Sequence, residues 1–260
     1  MTTPIAAEVL PQERQECILK QLRRNGRVVA NELAAEFGVS EDSIRRDLRE
    51  MAAQGLCRRV YGGALLPTLA FPPLSERLEQ SDSSRSGLAT YAASLIRAGQ
   101  VILLDAGSTN VEIAKCLRDK PVTVVTNAPA IAAVLSGDAA AMAVMIGGKI
   151  DRRSGGSIGT YAVAQLSDIQ ADVCIPGACA VDPDTGIWGI DADETAFKQA
   201  MVRASGQTII VATLDKVGAR GTYRIMTFDQ VDHLVIPHEV PLEVTAQVPS
   251  NTRVHRFQMQ

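Results

Sequence analysis

No run of about 18 apolar residues occurs in this 260-residue chain, and its opening, MTTPIAAEVLPQERQ, lacks the basic start and apolar stretch of a secretory leader. These absences predict a cytoplasmic protein with no membrane partner. Cysteine is sparse: Cys17, Cys57, Cys116, Cys174 and Cys179 form no CxxC pair, and His233, His238 and His255 lie far from them in sequence. The ligand spacing of a zinc site is therefore missing, and no metal or cofactor is expected. Cys174 and Cys179, either side of Pro176-Gly177 in an apolar segment, are expected as small buried side chains. Low-complexity tracts and internal repeats are also lacking. So is a strong charge bias, since the net charge is only −3. Residues 1–66 hold 10 Lys plus Arg against 9 Asp plus Glu, and residues 67–260 hold 16 against 20. The acidic remainder is a poor surface for nucleic acid. A DNA footprint has to come from the placement of charges near the N-terminus, where Glu41, Asp42, Asp47 and Glu50 dilute it.

The segment from Val39 to Ala64, VSEDSIRRDLREMAAQGLCRRVYGGA, supplies that placement. Ser40 is a helix cap, and Ile44, Leu48, Met51 and Ala52 recur at three- and four-residue spacing, so one face is apolar. Arg45, Arg46 and Arg49 fall outside that face, where a planar guanidinium can meet guanine edges or phosphates. Gly55 is expected to stop the helix. Leu56 to Tyr61 reads as a strand from which Arg58 and Arg59 project toward a DNA backbone, with the hairpin turned by Gly62 and Gly63. Upstream, Pro11 opens a helix with Ile18, Leu19 and Leu22 as its core stripe, ending near Asn25-Gly26. Leu33, Ala34 and Phe37 mark a short second helix closed by Gly38. Together these predict a winged helix-turn-helix. A plain helical hairpin with a solvated charged face is the simpler alternative, and it leaves the wing unexplained.

Prolines at 67, 72 and 73 deny the next stretch a regular helix, so residues 67–80 read as a linker between a domain at 1–66 and one at 81–260. Beyond it, helical spacing over Leu88–Ile96, Val111–Leu117, Ala130–Leu135 and Glu194–Ala204 alternates with apolar strands. These strands lie at Val101–Leu104, Val122–Val125, Met142–Ile146, Val173–Ile175, Thr208–Ala212 and His233–Ile236. The alternation predicts an α/β domain with a mostly parallel sheet, whose ligands bind beyond the carboxyl ends of the strands. Asp105-Ala106-Gly107-Ser108-Thr109-Asn110 leaves a strand and opens a helix, which brings free backbone N–H groups and two hydroxyls to one anion-binding point. Taken alone, Gly-Ser-Thr is equally a helix cap. Thr126-Asn127 and Gly147-Gly148-Lys149 end later strands and are expected to share the crevice. Trp188, the sole tryptophan, is read either as a lid on it or as packing.

Two sets of residues carry a resemblance. The first is Asn31-Glu32-Leu33-Ala34, Phe37, Val39-Ser40, Ile44-Arg45-Arg46-Asp47-Leu48, Gly55-Leu56 and Tyr61-Gly62-Gly63-Ala64. The second is Asp105 to Thr109, Thr123 to Asn127, Gly147-Gly148, Ser157-Ile158-Gly159, Glu194 with Lys198, and Asp215-Lys216-Val217-Gly218. On these the chain resembles the DeoR family of bacterial transcriptional regulators. The resemblance implies a third helix in the major groove, with Ser40, Ser43, Arg45 and Arg46 near DNA. It also implies a sensor domain similar in fold to ribose 5-phosphate isomerase that binds a phosphorylated sugar or related metabolite. In that domain Gly107, Ser108 and Thr109 would hold the phosphate, and Asp105, Thr126, Asn127, Glu194 and Lys216 would face the ligand. The chain departs from the family at Tyr61, Ser43, Arg85, Ala180 and the Thr213-Leu214-Asp215 run.

The expected function is a ligand-controlled repressor of a carbon-metabolism operon. Its partners would be double-stranded operator DNA, a phosphorylated sugar effector and further copies of the chain. A sugar-phosphate isomerase carrying a winged domain is the alternative, with Asp105, Glu194 and Lys216 as base and electrophile. A winged domain used for protein contact is a third reading, against which five arginines on one side speak.

Overall fold

The computed structural model describes residues 10–54, 56–65, 72–79, 83–219 and 221–258. The chain divides into two compact units, Met1–Ala70 and Phe71–Gln260.

In the first unit, α1 (Pro11–Asn25) carries proline where no backbone N–H is needed, and Gly26 closes it at φ 74°, donating its N–H to the Leu22 carbonyl. A short strand, β1 (Arg27–Val29), leads into α2 (Ala30–Phe37), ended by Gly38 at φ 63°. Ser40 caps α3 (Glu41–Ala53), its hydroxyl accepting the Ser43 N–H at 3.2 Å. Gly55 lies outside the described residues. The hairpin β2 (Arg58–Val60) and β3 (Gly63–Leu65) follows, and β3 also pairs with β1, so an antiparallel sheet of order β1-β3-β2 forms the wing. The expected Leu56–Tyr61 strand is thus only three residues long. Gly63 is obligatory, because a Cβ there would sit 2.0 Å from the Val28 carbonyl oxygen. Ile18, Leu22, Leu33, Ile44, Leu48 and Met51 interlock as the core.

The second unit begins with α4 (Leu74–Glu79), inside the 67–80 segment; residues 66–71 lie outside the described residues. It continues with α5 (Ser83–Ser94), β4 (Val101–Leu104), α6 (Ser108–Cys116), β5 (Thr123–Thr126), α7 (Pro129–Leu135) and β6 (Met142–Met145). A ribbon of β7 (Lys149–Ile150) and β8 (Ser157–Ile158) precedes α8 (Thr160–Gln165) and β9 (Ala171–Ile175). Then come β10 (Ala180–Asp182), β11 (Gly186–Gly189), α9 (Ala192–Arg203), β12 (Ser205–Val211), β13 (Tyr223–Met226), β14 (His233–Pro237), α10 (Leu242–Thr245) and β15 (Arg253–Phe257).

Seven of these strands form one parallel sheet, ordered β15-β14-β12-β9-β4-β5-β6. The inner strands β4, β5, β9 and β14 bury both faces over most of their length, as a covered parallel sheet must, while the edge strand β6 is largely exposed. Ile102 and Leu104 pack with α5 and α6 on one side, while Leu103 faces Phe197 and Met201 of α9 on the other. From β4 the chain winds outward through β5 and β6. It then returns to place β9 on the other side of β4 and winds the opposite way. The strand order therefore reverses between β4 and β9, and a crevice opens at their carboxyl ends. A separate antiparallel sheet, β10-β11-β13, has no counterpart in the sequence reading, and neither does β15.

Near the β15 edge, the two ring nitrogens of His255 lie 2.9 Å from the Tyr91 hydroxyl and 2.9 Å from Nδ1 of His233, with the imidazoles stacked. Burial lowers the pKa of both rings, and Arg253 lowers each further; His233 also lowers that of His255. The unfolded chain therefore takes up protons first. Stability is full above the unfolded value of about 6.5 and is lost as pH falls toward the lowered folded values. The urea midpoint should drop between about pH 7.5 and about pH 5.5, and the drop should shrink in His255→Asn. An equal drop in both proteins would assign the acid sensitivity to other groups.

Candidate functional site

On α3, Ile44, Asp47, Leu48 and Met51 face inward, and Arg45, Arg46 and Arg49 are exposed, as are Arg58 and Arg59 on β2. Ser40 and Ser43 sit at the helix start, their hydroxyls 3.0 Å apart. Two of the surrounding charges differ from the sequence reading. Asp47 is not a solvated charge diluting the footprint. It is buried, bound to Arg14 Nε at 2.6 Å, and also accepts from Gln15 at 3.4 Å. Arg45 is exposed but engaged, pairing with Glu41 at 2.6 Å and Asp42 at 3.1 Å within its own helix. Among the described residues no carboxylate pairs with Arg46, Arg49, Arg58 or Arg59. Tyr61, which the sequence reading noted as a departure from the family and gave no DNA contact, is fully exposed at the hairpin tip.

In the second unit, the crevice between β4 and β9 is lined by Gly107, Ser108, Thr109 and Asn110 at the start of α6 and by Gly177, Ala178 and Cys179 after β9. Glu194 and Lys198 of α9, Lys216, Arg77 and Arg153 complete it. Asn110 clamps the two strand ends, its side-chain amide donating to the carbonyls of Asp105 and Ile175 at 2.9 Å each. Val111 is the first residue of α6 to donate its N–H back along the helix, so the N–H groups of Ser108, Thr109 and Asn110 face the cleft end unspent.

Asp105 is buried beside the cleft. Its carboxylate accepts the Gly177 N–H at 2.8 Å, and Lys198 Nζ lies 3.4 Å away and also bonds Glu194. Gly177 permits this approach, since a Cβ there would meet both the Ala106 carbonyl and the Asp105 carboxylate at 3.0 Å. Burial raises the Asp105 pKa, with Lys198 pulling the other way. Burial alone would lower the Lys198 pKa, but the Asp105 and Glu194 carboxylates outweigh it, and the ammonium is held charged. Lys216, on a 3-10 turn (Leu214–Lys216), has its pKa lowered by burial against support from Asp215. Arg153 lies 3.5 Å from Asp191 and 3.6 Å from Glu194.

Of the sequence candidates, Gly107, Ser108, Thr109, Glu194 and Lys216 meet at the cleft wall, with Asp105 directly behind. Thr126 and Asn127 stand behind it too. Asn127 Oδ1 accepts the Ala106 N–H at 3.0 Å and its amide donates to the Ser157 carbonyl, while Thr126 Oγ1 accepts the Ala128 N–H. Gly147 and Gly148 do not reach the cleft: Gln165 bonds both the N–H and the carbonyl of Gly147, closing that loop onto α8. Trp188 is also absent from the wall, its indole N–H donating to Thr185 in the β10–β11 hairpin. Arg77, Arg153 and Gly177 are among the wall residues that the sequence reading missed. Among the described residues, no cluster of three His, Cys, Asp or Glu suits a metal ion, and no helix is long and apolar enough to cross a membrane.

A winged helix-turn-helix with arginines on its third helix, joined in one chain to an α/β unit with a charged cleft at its switch point, defines a DNA-binding regulator with a sensor domain. The first unit matches the DeoR-like helix-turn-helix domain over residues 14–69, and the second matches the DeoR C terminal sensor domain over 81–237. The chain belongs to the DeoR family of transcriptional regulators. It is 31% identical over 223 residues to the glycerol-3-phosphate regulon repressor of Haemophilus influenzae, covering 85% of this chain and 87% of the relative. The transcriptional repressor GlcR of Bacillus subtilis is 29% identical over 226 residues, with 86% and 87% covered. The L-fucose operon activator of Escherichia coli is 26% identical over 226 residues, with 85% and 93% covered. Among solved structures, ribose 5-phosphate isomerase A of Methanocaldococcus jannaschii aligns at a TM-score of 0.37 and 16% identity over 55% of each chain. The sorbitol operon regulator SorC of Klebsiella pneumoniae aligns at 0.43 and 12% identity, over 92% of this chain and 98% of that one. Both matched models describe domains of DeoR regulators, and the isomerase alternative is set aside.

Lys198→Met would strand two buried carboxylates without their cation. The expected cost is about 3–5 kcal/mol of second-unit stability, read by chemical denaturation. A loss below about 1 kcal/mol would mean that Asp105 is neutral in the folded protein.

Proposed function

We propose that this protein is a cytoplasmic repressor of a carbon-metabolism operon, released from its operator by a phosphorylated sugar or related phosphorylated metabolite bound in the second unit. The observation that carries the reading is the convergence at one cleft of the free α6 N-terminus, the Ser108 and Thr109 hydroxyls and the cations of Lys216, Arg77 and Arg153. Phosphate oxygens accept from all of these donors. Asp105 and Glu194 then offer acceptors to sugar hydroxyls. Asn127 contributes by fixing the Ala106 backbone and Thr126 by holding the Ala128 N–H, rather than by touching the ligand. Release requires that the ligand favour one arrangement of the protein over the other.

At the other end, Ser40, Ser43, Arg46 and Arg49 meet the major groove, and Arg58, Arg59 and Tyr61 follow the backbone beside it. Arg45 joins them by exchanging Glu41 and Asp42 for phosphate or base, a cheap exchange because exposed ion pairs within a helix are worth only about 0.3–0.5 kcal/mol. One winged unit offers few base contacts, so the protein acts as a homo-oligomer reading two half-sites. The exposed edge of β6, with Met142, Val144 and Met145 uncovered, is a surface suited to such assembly.

Sites selected from random duplexes define the operator for two tests. Arg46→Ala and Arg49→Ala should each cost about 1–3 kcal/mol of operator affinity, and unchanged affinity would remove that arginine from the interface. A thermal-shift panel of glycerol, aldose and ketose phosphates should reveal the effector, since ligand at ~100 times its Kd adds roughly 2.7 kcal/mol of stability. The Ser108→Ala, Thr109→Ala double variant should lose that shift and the ligand's effect on DNA binding. A normal response would place the phosphate elsewhere.

A further inference from the structure

The first element of the second unit reaches into the cleft. Leu74 of α4 is buried, its N–H donates to the Arg153 carbonyl at 2.9 Å, and its side chain fills the space over Gly155, where a Cβ would lie 2.3 Å from Leu74 Cδ2. Arg77, less than one turn on, donates from Nε to the Pro72 carbonyl at 3.1 Å and from Nη2 toward the Arg153 carbonyl at 3.5 Å. Arg85 Nη1 donates in turn to the Arg77 carbonyl at 2.9 Å. So α4 and the loop holding Arg153 form one clasp, and both arginines of the clasp line the cleft wall. Lys198 is held by Asp105 and Glu194, while the cations of Arg77, Arg153 and Lys216 line the same cleft, where an oxyanion can meet them. The links from Arg153 to Asp191 and Glu194, at 3.5 and 3.6 Å, are too long to compete with a direct bond to such an anion.

We infer that Arg77 and Arg153 are ligand-binding residues that grip the anionic group of the effector, and that through Arg77 an occupied cleft tightens α4, the element from which the chain runs back to the DNA-binding unit. The inference rests on the cleft assignment proposed above. A six-residue helix has no stability of its own and stays ordered only by what it docks on. Here that docking includes the buried Leu74, the hydrogen bonds of Arg77 and contact with α6, so the protection of α4 depends on what it is tied to. A ligand bonded to both guanidinium groups adds a tie between α4 and the loop that the empty cleft lacks. Arginine suits the task because its planar fork gives two parallel N–H bonds to one phosphate, and so resists rotation as well as separation.

The test is hydrogen exchange on the full chain, with inorganic phosphate and with glycerol 3-phosphate, alongside calorimetric Kd values. Ligand should slow exchange at the start of α6 and across α4. In Arg77→Gln the Kd should weaken by about tenfold or more and the slowing should persist at α6 but vanish at α4; Arg153→Gln should weaken binding similarly. Arg77→Lys keeps the charge without the fork. It is read in place of Arg77→Gln if that variant does not fold, and should also lose the α4 slowing. Binding that protects α6 and leaves α4 unchanged in the wild type, or Kd values unchanged in both arginine variants, overturns the inference alone. Failure of the wild type to bind either anion overturns the cleft assignment itself.

Discussion

One ammonium group organises the sensor unit. Lys198 rises from α9 into a space with almost no water and meets Asp105 from the end of β4, while Glu194, one turn earlier on the same helix, closes on it from the side. Two carboxylates in that position repel each other and lose hydration. The cation between them makes the arrangement tolerable, and removing it would leave the two buried carboxylates facing each other without it. Because Asp105 also accepts the Gly177 N–H, the same group ties α9 to the ends of both β4 and β9, where the sheet reverses its winding. The cleft exists because three elements are held to one point.

The DNA-binding unit uses the same device on a smaller scale. Apolar packing of Ile44, Leu48 and Met51 on α1 and α2 supplies the driving force that docks α3, but hydrocarbon contacts tolerate small rotations. The buried pair of Arg14 with Asp47 does not, since its fork geometry holds for one rotation of the helix. The arginines on either side of Asp47 are aimed by it. In both units a buried ion pair fixes direction more than it adds stability.

Much of this was legible in the sequence. Helix caps at Pro11, Ser40, Gly26 and Gly38 are local chemistry, and the apolar runs of β4, β5, β9, β12 and β14 are each long enough to show. What escaped was short or distant. The wing strands and β10, β11 and β13 run to three or four residues, and pairing partners far along the chain define them. Gly147-Gly148 follows a strand as the other site loops do, but that strand is the sheet edge, and Gln165 closes the loop. Arg77 and Arg153 lie outside the motif segments and come together through a buried leucine over Gly155, a contact that no spacing reveals. Asp47 and Arg45 show the limit of counting charges: the sequence holds their identities, and only the fold shows that one is spent internally and the other is leased to its neighbours.

The near balance of acids and bases in the DNA-binding unit bears on how the protein spends its time in a cell. Attraction to phosphate is indifferent to sequence, and a chromosome offers roughly a million or more competing sites for each operator. A strongly basic domain would sit on that excess, and its release from one operator would only return it to the surrounding DNA. Here the first turn of α3 holds carboxylates against Arg45, and the unit carries almost as many acids as bases. Bulk duplex competes weakly for such a protein. On the function proposed above, few copies then suffice to keep an operator filled, and a modest rise in effector empties it.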